Sequence, residues 1–500
     1  MKIREKFFKA LLAAAMLALL GCGAEKNVEN TEGMIGESAM TAEDNASGVA
    51  ESASLDQEPE VQKETDIAEP LESVSEAAET APETAEPAPE STGMAVEAEI
   101  QRPKVRGIYV TGPMAGTENM NNLIDLVDRT ELNAMVIDVK NDEGRVVCEM
   151  NTPTVQEIGA VKRYVRDMTA LVQKCREKDI YLIARIVAFK DPYLAEAKPE
   201  WSLHNEDGSI FRDKSGQAWV NPYEQQVWDY LLEVAEGAVD LGFDEVQFDY
   251  IRFSTDSGMK NVDFGPAAAE KSKTDVITEF TAYAAERLHA KGAAVSADVY
   301  GVVIDSEVDQ QIVGQDYTEM AKYLDYLSPM VYPSHYGSYN YGIPVPDAQP
   351  YDTVLAAMQA SKKVLAGIEP AAAEEAETAV SGNDAAADVS GNGISDNDAA
   401  ADVSGNTVPD SSETSDSAAE PELTKEEIAA LQPLPEIRAT ARPWLQDFTA
   451  TWVKGHISYG PEQIRQQIQA VYDAGYEEWI LWNAANRYTE GGLLGPEAVQ

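Results

Sequence analysis

The chain has 500 residues, with 87 acidic against 38 basic side chains and a formal charge of -49 at pH 7. So large an acidic excess repels phosphate backbones and argues against nucleic acid as a partner. Length alone allows about two or three domains, but composition lowers that number, because long tracts hold too little apolar surface to build a core.

The first 22 residues read as an address. Lys2, Arg4, Lys6 and Lys9 precede the apolar run "LLAAAMLALL", which is too short to span a membrane and has the pattern of a signal peptide. Small residues leading into Cys22 in "LALLGC" resemble the bacterial lipobox. That likeness implies lipidation of Cys22 and a protein anchored to the outside of a bacterial cell membrane; ordinary secretion with cleavage nearby is the simpler alternative. Residues 23–100 are Glu, Ala, Ser, Thr and Pro, and Lys63 is the only basic side chain between Asn27 and Ile100. Such a stretch cannot offset its chain entropy by burial, and a disordered acidic linker is expected.

The folded part is expected over 101–369 and 426–500, where short β-branched or aromatic runs alternate with longer helical patterns. Eight strands are predicted at 105–112, 132–141, 180–189, 244–253, 293–301, 325–334, 441–450 and 478–487. Helical stretches at 161–179, 222–242, 274–292 and 350–365 lie between them, several stopping at a glycine. Eight strands with intervening helices in about 330 residues predict one α/β domain, a (β/α)8 TIM barrel. Residues 370–425 interrupt it between helix six and strand seven, on the side away from the strands' C-terminal ends. "NDAAADVSGN" occurs there at 383–392 and again at 397–406, which marks a low-complexity, disordered insertion. Cys148 and Cys175 fit no metal spacing and read as isolated buried thiols.

Alternation along the strands sorts the side chains. In "DEVQFDYIRF", Val246 and Phe248 would face helices, leaving Gln247 and Asp249 on the axis. Likewise Asp298 falls opposite Ala297 and Val299, Asp138 and Lys140 opposite Ile137 and Val139, and Arg185 opposite Ala184 and Ile186. Polar groups thus collect late on several strands, where a purely structural barrel would carry Val, Ile and Leu. Two carboxylates from neighbouring strands, opening into one cavity, suit glycoside hydrolysis. Retaining enzymes hold them about 5 to 5.5 Å apart and inverting ones about 6.5 to 9.5 Å, and a strand spacing of about 4.8 Å leans towards retention. Asp249 is the expected nucleophile and Asp298 the acid/base, with Asp138 or Asp447 as replacements for the latter; pairing with Arg185 or Arg252 is the purely structural alternative. Asp138, Lys140, Arg185, Trp219, Arg252, Tyr300, Tyr332, His335, Asp447 and Asn483 are expected to bind substrate, the aromatic rings by stacking on sugar CH faces. No cluster has metal-ligand spacing, so neither metal nor cofactor is implied, and no phosphate loop or G-x-S-x-G elbow is present.

The segments "RGIYVTG", "VIDVKND", "DEVQFDYIRF", "LSPMVYPSHY", "RPWLQDF" and "WILWNAAN" resemble the "Putative glycosyl hydrolase domain" family, first catalogued as a domain of unknown function. That family is similar to the wider group of (β/α)8 glycosidases that includes relatives of alpha-amylase and alpha-galactosidase. The likeness implies the superfamily's nucleophile position for Asp249. Amylase-like enzymes carry their acid as Glu on strand five, where this chain has Asp298; galactosidase-like ones use an Asp on strand six, where it has none. The expected activity is cleavage of O-glycosidic bonds in a poly- or oligosaccharide at the cell surface. The alternatives are a non-catalytic carbohydrate or cell-wall binding lipoprotein on the same barrel, and an envelope scaffold whose barrel mouth recognises another protein.

Overall fold

The computed structural model describes residues 102–368 and 423–499. The expected signal peptide, Cys22, the acidic linker and nearly all of the insertion lie outside the described residues.

Eight parallel strands close on themselves: β1 (Arg106–Val110), β2 (Ala134–Lys140), β3 (Tyr181–Val187), β4 (Glu245–Asp249), β5 (Ala294–Tyr300), β6 (Tyr326–Met330), β7 (Trp444–Gln446) and β8 (Trp479–Trp482). Each pairs with the next, and β8 returns to β1 through Arg106 opposite Trp479, so no edge is left open. The principal helices between strands are α1 (Met120–Asp128), α2 (Met168–Arg176), α3 (Gln225–Leu241), α4 (Lys273–Ala290), the short α5 (Glu307–Val313) and α6 (Tyr317–Ala321), α7 (Pro350–Leu365) and α8 (Pro461–Asp473). This is the expected (β/α)8 barrel.

Strand alternation produces two separate apolar layers. Met135, Ile137, Leu182, Ala184, Val246, Phe248, Val295 and Ala297 pack outward with helix residues such as Leu231, Phe280 and Ile468. Tyr109, Ala134, Val136, Tyr181, Ile183, Tyr332, Trp444 and Ile480 form a second cluster from the inward faces. The barrel is therefore plugged along its axis by side chains. Both cysteines are free and buried, and burial pushes each thiol up to about 12.

Element ends depart from expectation for local reasons. The helix expected over 161–179 begins only at Met168, because Val161 bridges to Val146 and the Asp167 carboxylate caps Ala170 N–H. β4 stops at Asp249, since Tyr250 takes φ 49 and turns the chain out of the sheet. Strand seven is divided into Thr440–Ala441 and β7, with Pro443, which has no N–H for the ladder, in the gap. The second part of the barrel also starts before the expected 426: Thr424 and Glu427 form a capping box on a helix that starts at Lys425.

Candidate active site

The C-terminal ends of β2, β3, β4 and β5 bring four carboxyl groups and one guanidinium together. Register sets them in place: Asp138 lies opposite Arg185 on the neighbouring strand, and Val187 opposite Asp249. Gln247 Nε2 donates to Ser328 Oγ at 2.9 Å, which fixes that face of β4 on the barrel axis. Two residues on, Asp249 Oδ2 accepts from Arg185 Nε at 2.9 Å and from Nη2 at 2.5 Å. The opposite edge of the guanidinium donates through Nη1 to Asp138 Oδ1 at 2.8 Å. Asp138 Oδ2 accepts in turn from the Tyr109 hydroxyl (2.9 Å) and Gly112 N–H (3.2 Å). Asp142, just past β2, stands 3.4 Å from Arg185 Nη1.

Asp298 enters from β5. The pairing of Phe248 with Ala297 places Asp249 and Asp298 next in line on adjacent strands. Asp298 Oδ1 accepts from Trp444 Nε1 at 2.6 Å. Burial pushes the Asp298 carboxyl well above the usual range, and the neighbouring charge of Asp249 adds to the rise. Burial also raises Asp138, against the pull of Arg185. The two inward acids of β4 and β5 therefore differ: Asp249 is held by a cation, whereas the Asp298 carboxyl is buried and pushed upward. Tyr332 adjoins both, its hydroxyl raised by burial and by the charges of Asp298 and Asp249.

Access to these groups is unequal. Asp298 is 2% exposed, and the side chains of Asp138, Asp249 and Asp142 are 3%, 11% and 34% exposed. Surface depressions of about 320 and about 300 Å³ lie around Thr117 and Lys174, and around Arg102 and Tyr181. Asp138, Asp249 and Asp298 are thus largely covered and Asp142 is partly open, where all were expected to open into one cup. Trp482 stacks on Tyr109 at 4.2 Å, with Arg185 within 5.7 Å of both rings.

Of the expected substrate-binding residues, Asp138, Arg185 and Tyr332 join this cluster, and Arg252 and Tyr300 lie beside one another, the guanidinium 4.5 Å from the ring centroid. His335 is solvent-exposed, forms edge contacts with Tyr332 and Phe448, and hydrogen-bonds Ser334 Oγ.

Four of the expected substrate-binding residues are engaged by other parts of the protein. A bulge between Asp138 and Lys140 turns Lys140 to the helix side, where it is fully buried and pairs with Asp191 at 2.8 Å. Trp219 is 2% exposed, its N–H spent on Asp213 and its ring edge-on to Tyr250, so it supports the wall and offers no free face. Asp447 receives both the N–H and hydroxyl of Thr489, which pins the loop after β8. Asn483 donates to the Asp447 carbonyl and accepts from Ala485 N–H, so it shapes that same loop.

Three residues escaped the sequence reading. Asp142 sits in "VKND" directly after β2, one residue past the strand pattern used to find inward acids. Phe448 and Trp452 stack on one another in the loop after β7 (6.0 Å, 19°), and Trp452 is 48% exposed. Their signal was two aromatics four residues apart, Phe448 near the end of the segment expected to be strand and Trp452 just past it.

No curated protein sequence matches the chain. Among solved structures, a hypothetical protein of Ruminiclostridium thermocellum is 41% identical over 38% of this chain and 97% of its own, with a TM-score of 0.36. The glycoside hydrolase domain of PgaB (BpsB) from Bordetella bronchiseptica is 12% identical over 76% of this chain and 94% of its own (TM-score 0.45). The spore cortex-lytic enzyme SleL of Bacillus megaterium is 10% identical over 78% and 72% (TM-score 0.38). The family model described as "Putative glycosyl hydrolase domain" matches residues 107–374 and 410–488, most of the chain and every strand of the barrel, and the protein belongs to that family.

Proposed function

We propose that the protein is a retaining glycoside hydrolase that cleaves O-glycosidic bonds of a poly- or oligosaccharide at the bacterial cell surface, tethered through lipid on Cys22. The observation that carries this reading is the asymmetry of two carboxyl groups on adjacent strands: Asp249 clamped by Arg185, and Asp298 buried, bonded to the Trp444 indole and raised by burial. Opposed environments of this kind assign nucleophile and acid.

In the first step Asp249 attacks the anomeric carbon, and the bond to the leaving oxygen breaks as Asp298 gives that oxygen its proton. Arg185 holds the Asp249 carboxylate in place for attack. In the second step the now ionised Asp298 takes a proton from water, whose oxygen displaces Asp249 from the anomeric carbon and restores both groups. Trp444 holds Oδ1 of Asp298, which leaves Oδ2 to carry the proton towards the substrate.

The test is product analysis on a panel of cell-wall and dietary polysaccharides with the full chain and Asp249→Asn. Hydrolysis lost while glycan binding persists supports the proposal; hydrolysis by the Asn variant at the original rate removes it. Binding without any hydrolysis by the unaltered chain would establish the carbohydrate-binding alternative. The greater exposure of Asp142 favours one variation, in which Asp142 protonates the leaving group. Comparison of Asp142→Asn with Asp298→Asn on substrates with good and poor leaving groups separates the two, since loss of the true acid spares only the good ones.

A further inference from the structure

Four cationic side chains among the described residues are buried: Lys140, Arg185, Arg252 and Arg442. Three of them are matched with acids, Lys140 to Asp191, Arg185 to Asp138 and Asp249, and Arg442 to Glu245. Arg252, 4% exposed, forms no salt bridge within the described residues, in a chain with more than twice as many acidic as basic side chains. Its Nη1 donates to the Phe253 carbonyl at 2.9 Å. Three aromatic rings surround the guanidinium, with centroids at 4.5 Å (Tyr300), 4.9 Å (Tyr250) and 5.2 Å (Trp219). Ring quadrupoles soften the cost of burying a cation, but they do not supply a counter-charge.

The surroundings point the same way. Lys190, at the end of the segment after β3, stands 4.7 Å from the centroid of the same Tyr250 ring and also forms no salt bridge within the described residues. Tyr250 itself holds φ 49, a conformation that a bulky residue adopts at some cost. A strained backbone thus sets one ring beside two cations that form no salt bridge within the described residues, immediately after the proposed nucleophile.

We infer that Arg252, with Lys190, forms a subsite for a carboxylate on the glycan, so that the substrate is an acidic polysaccharide built from uronic acid or another carboxylated sugar. This rests on the glycosidase reading above and names its substrate class. A guanidinium whose Nη1 is taken engages a planar carboxylate through its Nε/Nη2 edge, a match that a neutral hydroxyl does not reproduce. The acids around Arg185, which outnumber their one guanidinium and of which Asp142 is the most open, disfavour the same carboxylate at the axis. Attraction on one side and repulsion on the other orient the sugar with its acidic substituent towards Tyr250 and Tyr300.

The experiment titrates the full chain with oligogalacturonate, hyaluronan and alginate oligosaccharides, each beside its methyl ester, which keeps the sugar and removes the charge. At least one carboxylated oligosaccharide should bind about 10-fold or more tightly than its ester, the increment expected of one well-formed charge-assisted contact. Arg252→Gln should bring that ratio towards one, Arg252→Lys should hold an intermediate value, and Lys190→Gln should reduce it less. Thermal unfolding of Arg252→Lys checks that the fold is retained. An unchanged ratio in Arg252→Gln, equal binding of acid and ester in the unaltered chain, or preference for sulfated over carboxylated oligosaccharides overturns the inference. Neutral glycans cleaved in an Asp249-dependent way, without any effect of Arg252, would overturn it and leave the glycosidase reading intact. Carboxylate-selective binding without hydrolysis would do the reverse.

Discussion

Arg185 grips Asp249 through two nitrogens on one oxygen, Nε at 2.9 Å and Nη2 at 2.5 Å, while Nη1 holds Asp138. One guanidinium therefore neutralises acids from two flanking strands, at a depth where its own side chain is 2% exposed. Arg185→Gln should cost about 3–5 kcal/mol, the usual result of leaving a buried charge without its partner. Arg185→Lys should cost less but still lower kcat/KM, since a point charge cannot fill both sides of the fork. Denaturant unfolding and steady-state kinetics measure the two effects. Stability unchanged in Arg185→Gln would mean that Asp249 and Asp138 are not ionised together.

Asp298 makes stability depend on pH. Its carboxyl is raised in the folded state by burial and by Asp249, so the folded chain binds this proton more tightly than the unfolded chain. The benefit is complete below the unfolded value of about 3.9. It is lost progressively as pH rises from there through the folded value, because the unfolded state releases the proton first. Asp298→Asn, which cannot ionise, should therefore gain stability relative to the unaltered protein as pH increases from 4 upwards. Parallel stability–pH curves for the two proteins would show that Asp298 is ionised at neutral pH.

Trp444 donates its indole N–H to Asp298 Oδ1 at 2.6 Å, a bond that favours the ionised form and opposes the upward shift. In Trp444→Phe that opposition disappears and the Asp298 carboxyl should rise further. If Asp298 is the acid, the alkaline limb of the kcat/KM profile moves to higher pH. The ring is also edge-on to Tyr109 and Trp482, and the substitution should cost about 1–2 kcal/mol of packing. A limb that stays in place would assign it to another group, Asp142 first.

The strand alternation that made Asp249 and Asp298 legible also misplaced Lys140. Period-two reasoning assigns faces correctly only while the register is continuous, and one extra residue between Asp138 and Lys140 reverses everything beyond it. Nothing in "VIDVKND" distinguishes a bulged strand from a regular one. Trp219, Asp447 and Asn483 failed for a different reason: they lie in loops whose burial is set by tertiary contacts, and no local pattern reports whether an indole faces substrate or a neighbouring Tyr250. Arg252 was legible as a substrate-binding cation or as a partner for one of the acids. Its lack of an acid became visible once all four buried cations could be compared.

Trp452 should separate binding from chemistry. It is 48% exposed and stacked on Phe448, which meets Tyr332 and His335 by ring edges, so an aromatic strip runs from the acids to the surface. Trp452→Ala should raise KM for long oligosaccharides several-fold, leave short substrates unaffected, and change stability by less than about 0.5 kcal/mol. Equal effects on long and short substrates would place the ring outside the chain's path.

The opposite end of the barrel should behave differently. Glu245 begins β4 and Arg442 precedes β7; both are fully buried, and the guanidinium reaches Glu245 through both terminal nitrogens, at 3.2 Å from Nη1 to Oε2. Tyr181 and Ser296 complete the shell of the carboxylate, and Glu478 lies 3.7 Å from Arg442. Arg442→Met alone leaves Glu245 charged and unpaired, and should cost about 3–5 kcal/mol. Adding Glu245→Met removes the stranded charge, so the double variant should recover part of that loss, which a double-mutant cycle measures directly. Because the pair lies at the N-terminal end of the barrel, away from Asp249 and Asp298 at the C-terminal ends of β4 and β5, kcat should persist in whatever fraction stays folded. A fall in kcat without a fall in stability would connect the two ends of the axis. The double variant would then lack its recovery in activity even where it regained stability.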